Sequence, residues 1–268
     1  MPAQYLLALH VGRAFVVFLN SKKKQQRPLI SKNLKMLQAG NGCDEHCDMD
    51  TKYKDKVTVL KTRAVNYLLT KLRDKETCAK DFMIHGDRLM RILAEEALAS
   101  LPNVGYGTVD TPCGKSKGLV KKGELKLCVV SIPRSGDILQ EAVRQIKPGV
   151  RIGKILIQRD ESTKDKRPIL YYKKLPRDIS ECFVILVDPM LATAGSAKRA
   201  IAVLIEAGVK EECIMFLNLV CCPEGIKNLF CAYPNVSVMT GAIDKCLNEH
   251  MFIVPGLGDY GDRYYGTV

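Results

Sequence analysis

A run of five apolar residues that ends on one carboxylate constrains the fold of this chain most strongly. Phe183 to Val187 has the length and β-branched content of a buried parallel strand, and Asp188 follows directly. Pro189 has no N–H to donate to a strand ladder, so the strand should stop there. Small residues then occupy 192–196, and AKRAIAVLIEAG continues at helical spacing. The segment predicts a strand, an acidic turn, a loop, and a helix that stops at Gly208.

The loop between this strand and helix is suited to a phosphate group. Small residues let several backbone N–H groups approach one phosphate at a helix N-terminus, where the helix dipole also favours negative charge. Thr193 and Ser196 can add hydroxyl donors. Every α/β protein must turn from strand to helix, so an ordinary structural turn is the alternative interpretation.

Two other predicted strands are followed by arginine. Leu127 to Ile132 leads into PRSGD, which contains Arg134, and Ile152 to Gln158 leads into Arg159. Open α/β sheets bind ligands at the carboxyl ends of their strands, where an arginine fork suits a diphosphate. A surface arginine beside a turn is the alternative for each position. The occurrence of an arginine at two separate strand ends favours the ligand-binding role.

Strands alternate with helices from about residue 127 to residue 240, which predicts an α/β fold with a doubly wound, mainly parallel sheet. A helix is expected over 82–98, and a long hairpin or flexible loop over 103–126. That loop carries five lysines and could form a lid over a phosphate-rich site. No aromatic residue is interleaved among these lysines, so we expect no nucleic-acid partner.

The C-terminal stretch IVPGLGDYGDRYYGT is rich in residues that force an irregular backbone. One proline and four glycines lie within it, yet it is more aromatic than a typical disordered end. A backbone with few bulky side chains can offer N–H and C=O groups to a small planar ligand. We therefore expect an ordered tail that forms a hood over a base-sized pocket.

The N-terminal residues 1–56 differ from the rest of the chain. They contain the charged run SKKKQQRP, which is typical of a solvated, mobile segment. Cys43 and Cys47 resemble half of a zinc site, but no second ligand pair follows at a suitable spacing. We predict an N-terminal extension over 1–56 and one catalytic domain over 57–268.

Composition limits the compartment and the partners. The 11 cysteines are an odd number without framework spacing, which indicates reduced thiols and a cytoplasmic protein. Apolar runs are too short to span a bilayer, so no membrane partner is expected. The net charge of +12 fits either solubility or attraction of polyphosphate substrates.

Several motifs together resemble the uracil phosphoribosyltransferases, especially their eukaryotic branch. These are VDPMLATAGSA, KILIQRDE, and NEH with IVPGLGDYGDRYYGT, and the resemblance covers 57–268. It implies the type I phosphoribosyltransferase fold with a C-terminal hood. It also implies synthesis of UMP and diphosphate from uracil and 5-phosphoribosyl 1-diphosphate (PRPP), with Mg²⁺. Homodimers or homotetramers are implied as well, and GTP is implied as a possible allosteric activator.

The resemblance also assigns residues. It implies catalytic roles for Asp188, Arg134 and Asp259, with Asp259 reaching the metal indirectly through substrate diphosphate or water. Uracil is expected at Ile253, Gly258, Asp259 and Tyr260. The implied PRPP-binding residues are Arg134, Arg159, Asp188, Pro189, Met190, Leu191, Ala192, Thr193, Ala194, Gly195, Ser196 and Asp259.

Three features leave questions open. PRSGD stands where bacterial members have RAG, so Asp137 adds a negative charge near Arg134. Ala194 replaces a glycine common in bacterial members, so its peptide must accommodate a Cβ. LRDKET at 72–77 resembles the N-terminal region of the same enzymes, and either a solvated helix link or a functional role fits it. A catalytically silent relative and an RNA-binding regulator on the same fold are the rival functional classes.

Overall fold

The computed structural model describes Tyr53 and residues 55–159 and 168–267, with the side chain of Arg159 left out. The predicted extension, including Cys43 and Cys47, therefore lies almost entirely outside the described residues.

The elements follow one another in a mainly alternating order. They are β1 (Val57–Val59), α1 (Arg63–Arg73), α2 (Ala79–Ala99), β2 (Val104–Thr111), β3 (Gly114–Lys121), β4 (Leu127–Ser131), α3 (Gly136–Ile146), β5 (Arg151–Arg159), β6 (Pro168–Lys174), β7 (Phe183–Val187), β8 (Met190–Leu191), α4 (Gly195–Glu206), β9 (Ile214–Cys221), α5 (Pro223–Ala232), β10 (Ser237–Ile243), β11 (Cys246–Leu247), β12 (Ile253–Val254) and α6 (Tyr260–Tyr265).

The central sheet confirms the predicted doubly wound architecture. Its strand order is β1-β10-β9-β7-β4-β5-β6, with β8 added beside β9. All of these pairings are parallel except that of β6, which runs antiparallel to β5. Strand β7 lies between β4 and β9, so its carboxyl end is at the middle of the sheet.

Helices cover both faces of the sheet, which explains why β7 has no polar residue. Successive side chains of a strand point to opposite faces. Ile185 therefore joins a core formed with α1, α2 and α3, whereas Val184 and Leu186 join a second core formed with α4 and α5. All three side chains are fully buried. This two-sided burial fixes the register of β7, because a slip by one residue would place Asp188 inside the sheet.

The predicted long hairpin is confirmed as β2 and β3, which pair along their whole length in an antiparallel two-stranded sheet. Tyr106 and Leu119 lie opposite each other on this ribbon and are 81% and 58% exposed. No helix in the described part of the chain is both long and apolar enough to cross a bilayer.

The C-terminal tail is ordered, as predicted, and its helix α6 packs on α2. Tyr260 is almost completely buried, with its ring 5.2 Å from that of Phe82 in an edge-to-face arrangement. The approach is close because α2 carries Gly86 at the contact. A Cβ on Gly86 would lie 2.5 Å from the Tyr260 hydroxyl oxygen. Burial also raises the pKa of Tyr260 well above its usual range.

We predict that Gly86→Ala destabilises the protein although alanine favours helices. The new methyl group would collide with the Tyr260 hydroxyl, and overpacking of this kind costs about 1–3 kcal/mol. Helix propensity returns about 1 kcal/mol. Urea unfolding should show a net loss for Gly86→Ala in the parent chain. In a Tyr260→Phe background, which removes the clashing oxygen, the same change should be neutral or stabilising; equal losses in both backgrounds would exclude this contact.

Candidate active site

The loop after β7 has the geometry expected for a phosphate site. The Asp188 N–H donates to the carbonyl of Leu217 at 3.3 Å, so the loop leaves the sheet while still bonded to β9. Met190 and Leu191 form the short strand β8 rather than free loop, which refines the sequence prediction. Helix α4 begins at Gly195, and its first-turn N–H groups have no partners within the helix. These donors face the region where an anion would be stabilised by the helix dipole.

Ala194 adopts a left-handed backbone conformation at the position where bacterial members commonly have glycine. It is the N-cap of α4 with φ of 65° and ψ of 8°, in the left-handed region that favours glycine. Its Cβ is accommodated in the core under α4, where Ala194 is only 4% exposed. The loop therefore keeps the turn that a glycine would give, at the conformational cost of an alanine.

Helix α5 supports this loop from behind, which sequence analysis did not foresee. The Cys222 thiol donates to the carbonyl of Ala192 at 3.3 Å, and the Asn228 amide donates to the carbonyl of Thr193 at 3.3 Å. Gly225 packs so closely that an added Cβ would lie 2.4 Å from the Ala192 carbonyl oxygen. In the sequence, Pro223-Glu224-Gly225 predicts only the start of a helix. A contact with a loop some 30 positions earlier cannot be predicted from a local pattern.

Arg134 lies beside the loop and is held by the tail. Its guanidinium donates to Asp262 at 2.5 Å and to the Thr267 hydroxyl at 2.9 Å. The hydrogen bond to Asp262 raises the pKa of Arg134, while bonds from Thr267 and then Arg134 lower the pKa of Asp262. Both groups are therefore charged at neutral pH. Half of the Arg134 side chain is exposed, so a ligand can reach it.

The strand end that carries Arg134 also contacts Asp188. The hydroxyl of Ser135, the next residue, lies 3.4 Å from a carboxylate oxygen of Asp188. On the other side, a Cβ on Gly261 would lie 3.3 Å from Asp259 Oδ1 and 3.5 Å from Arg134 Nε. The structure thus brings all three predicted catalytic residues to one edge of the sheet. Strand β5 ends at Arg159 as predicted, but the side chain of Arg159 lies outside the described residues.

The negative charge of Asp137 in PRSGD is paired with groups other than Arg134. One carboxylate oxygen of Asp137 accepts a hydrogen bond from the Ser131 hydroxyl and another from Lys154, both at 2.6 Å. Lys154 lies on the neighbouring strand β5 and forms an ion pair with Asp137. The extra negative charge is therefore neutralised locally.

Two of the four predicted base-binding residues have side chains that are buried in the core. Ile253 and Tyr260 are buried in the core and can offer only main-chain groups to a ligand. Gly258 and Asp259 are exposed, and Gly258 has φ of +80°, which only glycine adopts readily. Asp259 also caps helix α6, accepting from the Asp262 N–H at 2.9 Å.

Comparison with known proteins identifies the class and the family to which this chain belongs. The strand order and the loop after β7 define the type I phosphoribosyltransferase class. Within it, the chain belongs to the uracil phosphoribosyltransferase family, whose model matches residues 59–267.

Individual relatives agree with that assignment over nearly their whole length. The chain is 48% identical to the uracil phosphoribosyltransferase of Saccharomyces cerevisiae over 214 residues, covering 80% of this chain and 97% of the yeast protein. It is 47% identical to that of Dictyostelium discoideum over 217 residues, covering 80% and 98%. Among solved structures, the AQ2163 protein of Aquifex aeolicus superposes with a TM-score of 0.65 at 27% identity, over 78% of this chain and 97% of that one.

We predict that Gly225→Ala weakens PRPP binding while the protein remains folded. The added methyl group would meet the Ala192 carbonyl and displace the loop at 192–196. Misplacing a binding group by about 1 Å can cost about 100-fold in efficiency. The KM for PRPP should rise at least tenfold by that reasoning. Gly118→Ala is the matched control, because open space surrounds Gly118; unchanged PRPP kinetics in Gly225→Ala would contradict the supporting role of α5.

Proposed function

We infer that this chain transfers the phosphoribosyl group of PRPP to uracil and releases UMP and diphosphate. The observation that carries this inference is the meeting of Asp188, Arg134 and Asp259 at one sheet edge, in a chain of the uracil phosphoribosyltransferase family. The reaction breaks the bond from C1 of the ribose to diphosphate and forms a bond from that carbon to N1 of uracil. The proton on N1 is lost to the released diphosphate or to solvent, so that the products are UMP and diphosphate.

We assign binding of the ribose 5-phosphate to the loop 192–196. The first-turn N–H groups of α4 donate to the phosphate, and the hydroxyls of Thr193 and Ser196 add donors. Asp188, at the start of this loop, then lies near the ribose hydroxyls. Its negative charge stabilises the positive charge that develops on the ribose as diphosphate leaves.

Arg134 is assigned to the diphosphate. An arginine fork binds phosphate oxygens bidentately and stabilises the charge gained by the leaving group. In the structure this fork is occupied by Asp262 and Thr267 of the tail. Diphosphate therefore competes with a tail carboxylate for the same guanidinium, so PRPP binding and the position of the tail are coupled. Arg159 is proposed as the second phosphate-binding arginine.

Mg²⁺ is proposed as the cofactor, held mainly by the substrate. No cluster of three or more His, Cys, Asp or Glu side chains suited to a metal occurs within the described ranges. Mg²⁺ commonly binds through one or two carboxylates together with substrate phosphates, which fits the exposed Asp259 beside Arg134. Bound there, the ion would offset the negative charge of the diphosphate.

Self-association, a cellular location and regulation are also proposed. The exposed Tyr106 and Leu119 of the hairpin and Tyr171 and Tyr172 of β6 are apolar surface suited to self-association as a homodimer or homotetramer. We further propose a cytoplasmic location, since every cysteine of the described residues is a free thiol. Activation by GTP is proposed from the family resemblance alone.

We predict that Asp188→Asn folds but loses about 100- to 1000-fold in turnover, the range found when one preorganised electrostatic group is removed. The amide has nearly the shape of the carboxylate but lacks the charge that stabilises the ribosyl cation. Formation of UMP from labelled uracil and PRPP with Mg²⁺ measures the loss. Parent-like turnover in a folded Asp188→Asn protein would remove Asp188 from the chemistry.

We also predict strong preference for uracil and small 5-substituted analogues such as 5-fluorouracil over cytosine and purines. Main-chain groups near Ile253, Gly258 and Tyr260 have fixed directions and cannot rotate to suit another base. A donor aimed at O4 of uracil would face the amino group of cytosine, and an unpaired buried polar group costs about 1–3 kcal/mol. Competition assays that compare kcat/KM for the bases test this; comparable turnover of cytosine would show that another segment reads the base.

A further inference from the structure

An ion pair between a buried carboxylate and a partly buried arginine joins the first helix to the end of β10. Asp244 follows β10 directly, and its side chain is 5% exposed. Arg73, in the last turn of α1, donates from one terminal nitrogen to Asp244 Oδ1 at 2.6 Å and from the other to Oδ2 at 2.8 Å. Burying such a pair is expensive unless its remaining hydrogen-bonding capacity is used.

Arg73 and Asp244 each form a further hydrogen bond with the same residue of the tail, Gly256. The Gly256 N–H donates to Asp244 Oδ2 at 2.8 Å, and the Gly256 carbonyl accepts from Arg73 Nη1 at 2.7 Å. Gly256 has φ of +59°, and a Cβ there would lie 2.0 Å from the carbonyl oxygen of Ile253. The donor and acceptor of this single residue are thus held by two charged groups, in a backbone conformation that excludes other residues.

Gly256 lies midway between Ile253 and Gly258, the residues whose backbone is assigned to uracil. We propose that Arg73 and Asp244 are positioning residues that fix the direction of these backbone groups and so set the selectivity for uracil. The proposal rests on the inferred function and deepens it. Neither side chain is assigned a contact with substrate; they act through the Gly256 peptide.

Packing alone would not hold this segment. Pro255, Gly258 and Asp259 are exposed, and only Leu257 of 255–259 adds a buried side chain to the core. A second arginine strengthens the same attachment: Arg263 donates to the carbonyls of Leu257 and Leu72, the residue before Arg73. The tail is therefore tied to α1 by directional charged hydrogen bonds, which define orientation better than apolar contact does.

Steady-state kinetics of Arg73→Lys and Asp244→Asn in the full chain test the proposal. Lysine keeps the charge but loses the fork, and asparagine keeps the shape but loses the charge. The KM for uracil should rise about 10- to 100-fold, since a small misplacement of binding groups has effects of this size. The KM for PRPP should change less than about threefold, because uniform damage to the site would alter both constants. The preference for uracil over cytosine should fall by about tenfold or more.

Arg151→Lys is the matched control, because Arg151 also pairs with an aspartate, Asp178, but at the opposite edge of the sheet. It should leave both KM values and the base preference unchanged. Equal rises in both KM values, or an unaltered base preference with reduced thermal stability, would overturn the proposal and leave a merely structural ion pair. Arg73→Lys decides the matter if Asp244→Asn does not fold. Absence of UMP formation by the parent chain would instead refute the inferred function.

Discussion

Two-sided burial of β7 is the constraint on which the site depends. Its side chains fill the cores on both faces of the sheet, so the first polar residue after them must emerge at the carboxyl edge. That residue is Asp188, and the chain then turns directly into the loop and helix α4. β4 lies alongside β7 in parallel, so its own end delivers Ser135 and Arg134 to the same edge. One packing requirement therefore brings the loop after β7 and Arg134 to the same edge.

The tail completes the site by a different physical principle. Ile253, Leu257 and Tyr260 are its buried apolar side chains and Tyr264 packs partly against the core, but the tail is also attached through arginines. Arg134 binds it at Asp262, and Arg73 and Arg263 bind it at α1. Charged hydrogen bonds fix direction as well as distance, which would suit the base-binding role proposed for this segment. Under the proposed function, diphosphate bound at Arg134 would compete with Asp262 for the guanidinium.

The sequence predicted the elements that follow from local pattern. The strand at Phe183 to Val187, the strand–loop–helix order and the hairpin were confirmed because each rests on periodicity or turn chemistry within one segment. Family membership was also predicted correctly from short motifs. The roles of individual site residues stay predictions, although the structure places Asp188, Arg134 and Asp259 together.

What the sequence could not supply are contacts between distant positions. Arg73 stands in the LRDKET motif, but Asp244 is 171 residues away and no sequence pattern pairs the two. The supporting role of Gly225 depends on a carbonyl that only the tertiary fold brings near. Tyr260 was predicted at the base, yet its side chain is buried against Phe82, because the first turn of α6 faces α2.

The most direct test of the proposed site is a crystal structure of the full chain with bound UMP. The phosphate should lie within hydrogen-bonding distance of the N–H groups at the start of α4, and the ribose hydroxyls should lie near Asp188. The uracil edge should be bonded to main-chain groups between Ile253 and Tyr260. A base held elsewhere, or a phosphate away from the loop at 192–196, would contradict it.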